Sequence, residues 1–170
     1  MWHPNIVTRF QHIDHNAQEK EYYIPYNALL NTIFKLEDGY FVAPQLYRID
    51  GGKPIMFLEM KKTRDIHNIS KRVDADEQMR ERYTLLSKDV DIPILYGISA
   101  FGTRIAVYQF HKSSREVLPR ELIPTDPSIV TDIAPIDGWK DDIIDEEGYN
   151  NFMIMVNEVK RMVIDTYSFQ

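Results

Sequence analysis

The sequence lacks cysteine entirely, and this absence excludes disulfide-stapled folds, zinc–thiolate sites and thiol nucleophiles. It also lacks any apolar run close to the roughly 20 residues that a membrane-spanning helix needs. Its first residues, MWHPNIVTRFQHID, have neither the charged flank nor the apolar stretch of a signal peptide. We therefore expect an intracellular protein, in the cytoplasm or the nucleus, with no membrane partner.

An excess of positive charge is missing as well. The 20 basic and 26 acidic residues give a formal net charge of −6, which argues against binding nucleic acid by bulk electrostatic attraction. Only a local basic surface could bind a phosphate backbone. The hydrophobic share of 44% is typical of a globular protein. We expect one domain over residues 1–170, with a core at about 17–110 and a C-terminal extension at 111–170.

The hydrophobic pattern predicts a mixed α/β domain built around a small sheet. Apolar residues recur at helical intervals in three segments, and β-rich runs lie between them. Asp74 is the expected N-cap of the second helix. A Pro-rich stretch at 119–137 is expected to be a long surface connection. The predicted helices cover 17–36, 74–88 and 147–167, and the predicted strands cover 40–49, 54–63, 93–101 and 103–111.

Glu59 and Lys61 stand out because they follow an apolar run on a predicted strand. The alternation of side chains along a strand sends Phe57, Glu59 and Lys61 to one face of the sheet. A buried charge must be paired or must bind a metal, so this placement points to a site. The alternative is a strand that leaves the core, with its last residues solvated beside Lys62 and Arg64.

The predicted elements follow one another as a helix with Glu, a strand, a strand with Glu-x-Lys, a helix with Gln, and a strand. This order resembles that of the PD-(D/E)XK nuclease superfamily. The resemblance covers most of residues 17–110. It implies a restriction-endonuclease-like fold, with an α-β-β-α-β core around a central mixed sheet and here an extra C-terminal helix. A narrower likeness lies in EKEYYIP at 19–25, in PILYGISAFGTRIAVYQF at 93–110 and in Trp139 with the closing helix. These segments look similar to the nuclease-like region of Crinkler effectors and fungal-type protein kinases.

The resemblance also implies a set of site residues. Glu59 and a glutamate of the first helix would hold Mg²⁺ or Mn²⁺, and Lys61 would orient the attacking water or stabilise charge on the phosphate. Gln78 would position water or a phosphate. For the helix glutamate we favour Glu19 over Glu21, because Glu19 lies on the apolar stripe of that helix.

The sequence departs from the superfamily at its aspartate. Gln45 stands where the family has Asp after Pro, and an amide lacks the anionic oxygen that Mg²⁺ prefers. Asp50 is expected to be a turn residue, since at about 3.3 Å per residue it would lie some 20 Å from Glu59. Two hairpin registers remain open. A three-residue loop would set Gln45 opposite Glu59, whereas a two-residue loop would set Pro44 there.

Positive charge collects after the Glu-x-Lys strand, and this stretch is a candidate for binding a nucleic-acid backbone. The alternative is a solvated loop and helix face whose charge is offset by the nearby acidic residues Asp74, Asp76, Glu77 and Glu81. The expected binding residues are Lys62, Arg64, Lys71 and Arg72, continued by Arg80 and Arg82.

Two functions follow from these observations. The first is a Mg²⁺-dependent endonuclease or exonuclease that hydrolyses nucleic-acid phosphodiesters through Glu19, Gln45, Glu59, Lys61 and Gln78, and whose activity is low or lost because of Gln45. The second is a catalytically inactive, effector-like module of the same fold that binds a protein or nucleic-acid partner. An ion pair between Glu59 and Lys61 or a nearby arginine, with no open pocket, would favour the second.

Overall fold

The computed structural model describes residues 1–43, 46–49, 52–124 and 131–168. Across these residues the chain is α/β, with four helices and a mixed central sheet. The helices are α1 (Pro4–Gln11), α2 (Glu19–Ile33), α3 (Ile69–Leu86) and α4 (Glu146–Tyr167). The strands are β1 (Tyr40–Ala43), β2 (Leu46–Ile49), β3 (Pro54–Lys61), β4 (Ile94–Phe101), β5 (Arg104–His111), β6 (Glu116–Leu118) and β7 (Asp141–Asp142).

The sheet runs in the order β1-β2-β3-β4-β5-β6, and β7 also pairs with β5. Strands β3 and β4 are parallel, with Glu59 level with Ser99 and Lys61 level with Phe101. The other paired strands are antiparallel. Helix α3 connects the two parallel strands, as a parallel crossover requires. The carboxyl ends of β3 and β4 therefore lie side by side at one edge of the sheet.

Helix α3 covers one face of the sheet. Phe57 of β3 packs against Tyr83 of α3 at 4.9 Å between ring centroids, and the Tyr108 hydroxyl of β5 donates to Asp76 at 2.9 Å. Because side chains alternate along a strand, Glu59 and Lys61 share the face of Phe57 and lie toward α3.

Helices α1, α2 and α4 form the layer on the opposite face. Phe10 of α1 packs edge-on against Tyr26 of α2, and Trp2 packs against Phe152 of α4. Tyr96 of β4 reaches this layer through a 2.7 Å hydrogen bond from its hydroxyl to Glu158. No helix in the described ranges combines the length and the apolar character needed to cross a membrane.

Several boundaries differ from the sequence-based expectation. The β-rich run at 40–49 is divided into β1 and β2, and Ala43 pairs with Leu46. Helix α3 begins at Ile69, five residues before the expected start, because Asn68 rather than Asp74 is its N-cap: the Asn68 side chain accepts from the Ser70 N–H at 3.0 Å. Helix α1 and the short strands β6 and β7 were not expected.

The Pro-rich stretch is only partly a surface connection. Residues 120–124 are exposed, but Ala134 is buried against α3. Trp139 is 2% exposed, and its indole N–H donates to the Ser99 hydroxyl at 3.1 Å. Helix α4 begins within one residue of its expected start and is capped by Asp145, whose carboxylate accepts from the Gly148 N–H.

Candidate functional site

Four polar side chains meet on the α3 face of the sheet, at the carboxyl end of β3. Glu59 and Lys61 come from β3, and Gln78 and Arg82 come from successive turns of α3, four residues apart. Arg82 donates from Nε and Nη2 to the same Glu59 oxygen, Oε1, at 2.8 and 2.5 Å. Lys61 Nζ donates to Gln78 Oε1. We call Glu59, Lys61, Gln78 and Arg82 the β3–α3 cluster.

An open cavity of about 220 Å³ adjoins this cluster. Its lining combines charged, amide and apolar side chains: Glu59, Gln78, Glu81, Arg82 and Leu85. The Glu59 side chain is only 12% exposed, whereas that of Arg82 is 36% exposed. A carboxylate covered to this extent needs a positive partner, and Arg82 supplies it.

Close packing behind the cluster holds α3 against the sheet. Gly97 of β4 leaves the space that this packing uses. A Cβ atom at Gly97 would lie 2.6 Å from Phe57 Cζ and 2.7 Å from both Met79 Cε and Tyr83 Oη. Met79 and Tyr83 therefore pack close to the backbone of β4. Gln78 and Arg82 lie on the same turns of α3, so their side chains lie near the end of β3.

A second polar network lies in the middle of α3. Arg80 donates to both Asp76 oxygens, at 2.7 and 3.0 Å, and the Tyr108 hydroxyl donates to Asp76 Oδ1. Burial, followed by the negative charge of Asp76, raises the pKa of Tyr108 well above its usual value. Arg80 also donates to the Pro119 carbonyl at 3.0 Å, which ties the segment after β6 to α3. Arg80 is therefore occupied by structural contacts.

The predicted metal ligand Glu19 lies in a different setting. It lines an open cavity of about 520 Å³ with Gln18, Lys20 and Lys62. The start of α2 is held near the end of β3, since the Tyr22 hydroxyl and the Thr63 hydroxyl are 2.6 Å apart. Glu59, Lys61 and Gln78 are thus brought together in one cluster, while Glu19 is among lysines.

Gln45 and Asp50 lie outside the described residues, so the structure does not bear on the role expected for Gln45. Near them, Leu46 is level with Phe57 and Tyr47 with Met56, but Arg48 is level with Pro54. The register therefore shifts within the β2–β3 pair. The Leu46–Phe57 and Tyr47–Met56 pairs have the register expected for a two-residue loop. The Arg48–Pro54 pair has neither of the two expected registers.

The donor set of the β3–α3 cluster does not suit Mg²⁺, which favours several oxygen ligands in octahedral geometry. One oxygen of Glu59 already accepts two N–H groups from Arg82, and the Gln78 oxygen accepts from Lys61. Across residues 1–43, 46–49, 52–124 and 131–168, no three His, Cys, Asp or Glu side chains are grouped so that they could hold a metal.

The predicted nucleic-acid-binding residues are dispersed. Arg72 is 4% exposed, and it donates to the Ala134 carbonyl at 2.7 Å, to the Ile66 carbonyl at 2.8 Å and to Asp132. Its guanidinium is therefore part of the core and is closed to a phosphate. The surface pairs Lys71–Asp74 and Arg64–Asp65 offset two more positive charges, and Lys62 lines the cavity beside Glu19.

The sequence left open whether Glu59 would pair with Lys61 or with a nearby arginine, and Arg82 was only one of several basic residues. The available signal was the spacing of Gln78 and Arg82, which puts them on one face of a helix. A helix that follows a Glu-x-Lys strand and returns across it can bring such a pair to the strand end. Glu81, which lines the same cavity, was likewise expected only to offset charge.

Comparison with known proteins found no matching family description, no matching curated protein and no matching solved structure.

Proposed function

We propose that this chain is a PD-(D/E)XK-like module that binds the phosphate backbone of nucleic acid and does not cleave it. One observation carries the proposal: Arg82 neutralises Glu59, while Lys61 and Gln78 remain beside it. The carboxylate that a metal-dependent nuclease would use is thus paired with a cation from the protein itself. The order of elements supports the fold part of the proposal, because a Glu-x-Lys strand is followed by a Gln-bearing helix and a parallel strand.

The positive charges at the end of β3 support a phosphate ligand. Lys61 and Lys62 are consecutive in the chain, and the first belongs to the β3–α3 cluster while the second lines the cavity with Lys20. Together with Lys20, Lys61 and Lys62, Arg82 makes four cations near this end of β3. Crevices at the carboxyl ends of parallel strands are frequent ligand sites in open α/β sheets. Charged contacts of this kind bind a backbone without reading its sequence.

The carboxylates nearby limit the strength of such binding. Glu19 lies beside Lys20 and Lys62, and Glu81 lies beside Arg82. With a net charge of −6, the remainder of the protein repels a polyanion. We therefore expect weak binding that falls steeply as salt is raised.

Fluorescence anisotropy with short labelled single- and double-stranded DNA and RNA tests the proposal. In the presence of EDTA we expect binding, and on addition of Mg²⁺ we expect no cleavage. The double variant Lys61→Ala/Lys62→Ala should weaken binding, and the slope of log Kd against log salt should fall by about 1 to 2. Lys112→Ala is the matched control, because Lys112 follows β5 at the opposite end of the sheet.

Three results would overturn the proposal. Mg²⁺-dependent cleavage that is lost in Glu59→Gln would assign the chain to the active nucleases. Absence of binding to every nucleic acid, or binding that is equally weakened by Lys112→Ala, would favour a module that binds a protein partner.

A further inference from the structure

The Glu59–Arg82 pair puts a protein cation where the resemblance would put a metal ion. Both N–H donors of Arg82 that reach Glu59 converge on one oxygen, so the guanidinium lies alongside the carboxylate. We infer that Arg82 has replaced the divalent metal of this site, and that Arg82 and Lys61 bind a phosphate oxyanion directly. The first half of this inference rests on the proposed function, because only the PD-(D/E)XK resemblance puts a metal there. The second half rests on the donors of the cluster itself.

The position of Arg82 is set by the helix and does not depend on a flexible loop. Its neighbour Tyr83 is 2% exposed and packs against Phe57, two residues before Glu59 on β3. Met79, one turn earlier, is fully buried. These contacts prevent α3 from rotating, so the Arg82 side chain stays within reach of Glu59. Without that cation the mostly covered carboxylate would be left unpaired, which is unfavourable.

The geometry leaves donors for a ligand. A guanidinium carries five N–H groups and an ammonium carries three. The bonds to Glu59 use two of the Arg82 groups, and the bond to Gln78 uses one of the Lys61 groups. Charge-assisted bonds from arginine and lysine suit the tetrahedral oxygens of phosphate. The adjoining cavity of about 220 Å³ is small, so it suits a phosphate group better than a whole base.

Glu81 opposes this ligand. Its exposed carboxylate lines the same cavity and would repel an anion. Removing that charge should therefore strengthen phosphate binding, whereas it should weaken the binding of a cation. Glu81→Gln thus distinguishes an anion site from a cation site by the sign of its effect.

The replacement of the metal by Arg82 is tested by measuring the binding of Mn²⁺ alone. Calorimetry and the paramagnetic signal of the free ion both report this binding. Wild type should show no Glu59-dependent binding. Arg82→Gln, which keeps a hydrogen bond to Glu59 without the charge, should bind Mn²⁺ at least about tenfold more tightly. Adding Glu59→Gln to Arg82→Gln should abolish the gain. Arg82→Lys keeps the positive charge and should still exclude the metal.

The matched control is Arg120→Gln, because Arg120 also pairs with a surface glutamate, Glu116, at 2.6 Å. It should bind Mn²⁺ as wild type does. Glu59-dependent Mn²⁺ binding by wild type would overturn the replacement, and so would an Arg82→Gln variant that folds, as judged by circular dichroism, and gains no Mn²⁺ affinity.

Titration with inorganic phosphate in EDTA, followed by the NMR signals of arginine Nε–H groups, tests the oxyanion site. Phosphate should shift the Arg82 signal in wild type. The affinity should fall in Lys61→Ala and rise in Glu81→Gln. An unmoved Arg82 signal, or weaker binding in Glu81→Gln, would overturn the oxyanion site.

The two phosphate sources give different results. If inorganic phosphate binds at Arg82 and no oligonucleotide binds, the proposed function fails and the oxyanion site stands, with free phosphate as its ligand. If oligonucleotides bind with unchanged affinity in Arg82→Gln, the oxyanion site is wrong and the proposed function stands.

Discussion

Two arginines of one helix, Arg72 near the start of α3 and Arg82 near its end, occupy opposite kinds of environment. Arg72 is buried and donates to two backbone carbonyls and to Asp132. Arg82 is 36% exposed, contacts one carboxylate and faces an open cavity. The first joins α3 to the segment that contains Ala134, and the second retains donors for a ligand. Residue type alone therefore does not distinguish a buried, structural arginine from one that is partly exposed beside a cavity.

The difference arises from what each helix end faces. The start of α3 is covered by the segment at 131–139, which supplies the Ala134 carbonyl and the Asp132 carboxylate to a buried guanidinium. The later half of α3 passes Glu59 of β3, which supplies a single acceptor beside solvent. A buried polar group must be fully satisfied, whereas a half-exposed one keeps bonding capacity that a ligand can use. This contrast can be tested by substitution.

The largest effect is expected for Arg72→Ala. The substitution leaves the Ala134 and Ile66 carbonyls without their donor and Asp132 without its cation, so the free energy of unfolding should fall by roughly 3 to 5 kcal/mol. Arg82→Gln should cost less, roughly 1 to 2 kcal/mol, because Arg82 is partly exposed while the mostly covered Glu59 loses its cation. Urea denaturation followed by circular dichroism measures both. Equal losses of unfolding free energy in the two variants would mean that the two arginines contribute alike to stability.

A smaller effect is expected for Gly97→Ala, which pushes α3 away from the sheet between the two arginines. The new methyl group would overlap Phe57, Met79 and Tyr83, so the free energy of unfolding should fall by about 1 to 3 kcal/mol. The control is Gly138→Ala, where a Cβ atom would meet nothing within 4 Å. The displacement should also weaken the Glu59–Arg82 pair, seen as a gain of Mn²⁺ binding. Unchanged stability in Gly97→Ala would mean that α3 is not closely packed there.

The smallest effect is expected for Tyr108→Phe, in the network midway along α3. At neutral pH the lost hydrogen bond to Asp76 should cost about 0.5 to 1.5 kcal/mol. The folded protein raises the pKa of Tyr108, so the stability contributed by its neutral form is present below the usual tyrosine pKa, about 10, and is lost as pH rises above it.

Urea denaturation across neutral and alkaline pH separates these two effects. Wild type should lose more stability above about pH 10 than Tyr108→Phe does. The variant should retain some alkaline loss, because burial also raises the pKa of Tyr83 and of Tyr96. Parallel curves for the two proteins would mean that Tyr108 ionises alike in the folded and unfolded states.

The sequence predicted the α/β class and the long elements because their hydrophobic patterns are local. Helix α4 shows a clear apolar stripe and an Asp145 cap, and both strands of the β4–β5 hairpin were foreseen. The true start of α3 was missed because its buried residues include Arg72, which reads as a surface residue. The division of the 40–49 run was missed since β-propensity does not reveal where a strand turns back.

The candidate site was predictable only in part. Glu59 and Lys61 follow from strand alternation, whereas Gln78 was expected at the site only from the resemblance. The pairing of Glu59 with Arg82 joins residues 23 positions apart and depends on how α3 crosses β3. Such a contact is tertiary, so no local pattern encodes it. The same is true of Arg72, whose acceptor Ala134 lies 62 positions along the chain.

Strand β5 carries a further consequence for how the chain can be shortened. Its side away from β4 is shared by β6, at Gln109 to His111, and by β7, at Arg104 and Ile105. A chain ended after residue 111, close to the expected core, would lose both strands and expose β5 as an apolar edge. Open strand edges of this kind pair with strands of other chains, which leads to aggregation. The C-terminal third therefore covers an edge of β5 that would otherwise be open.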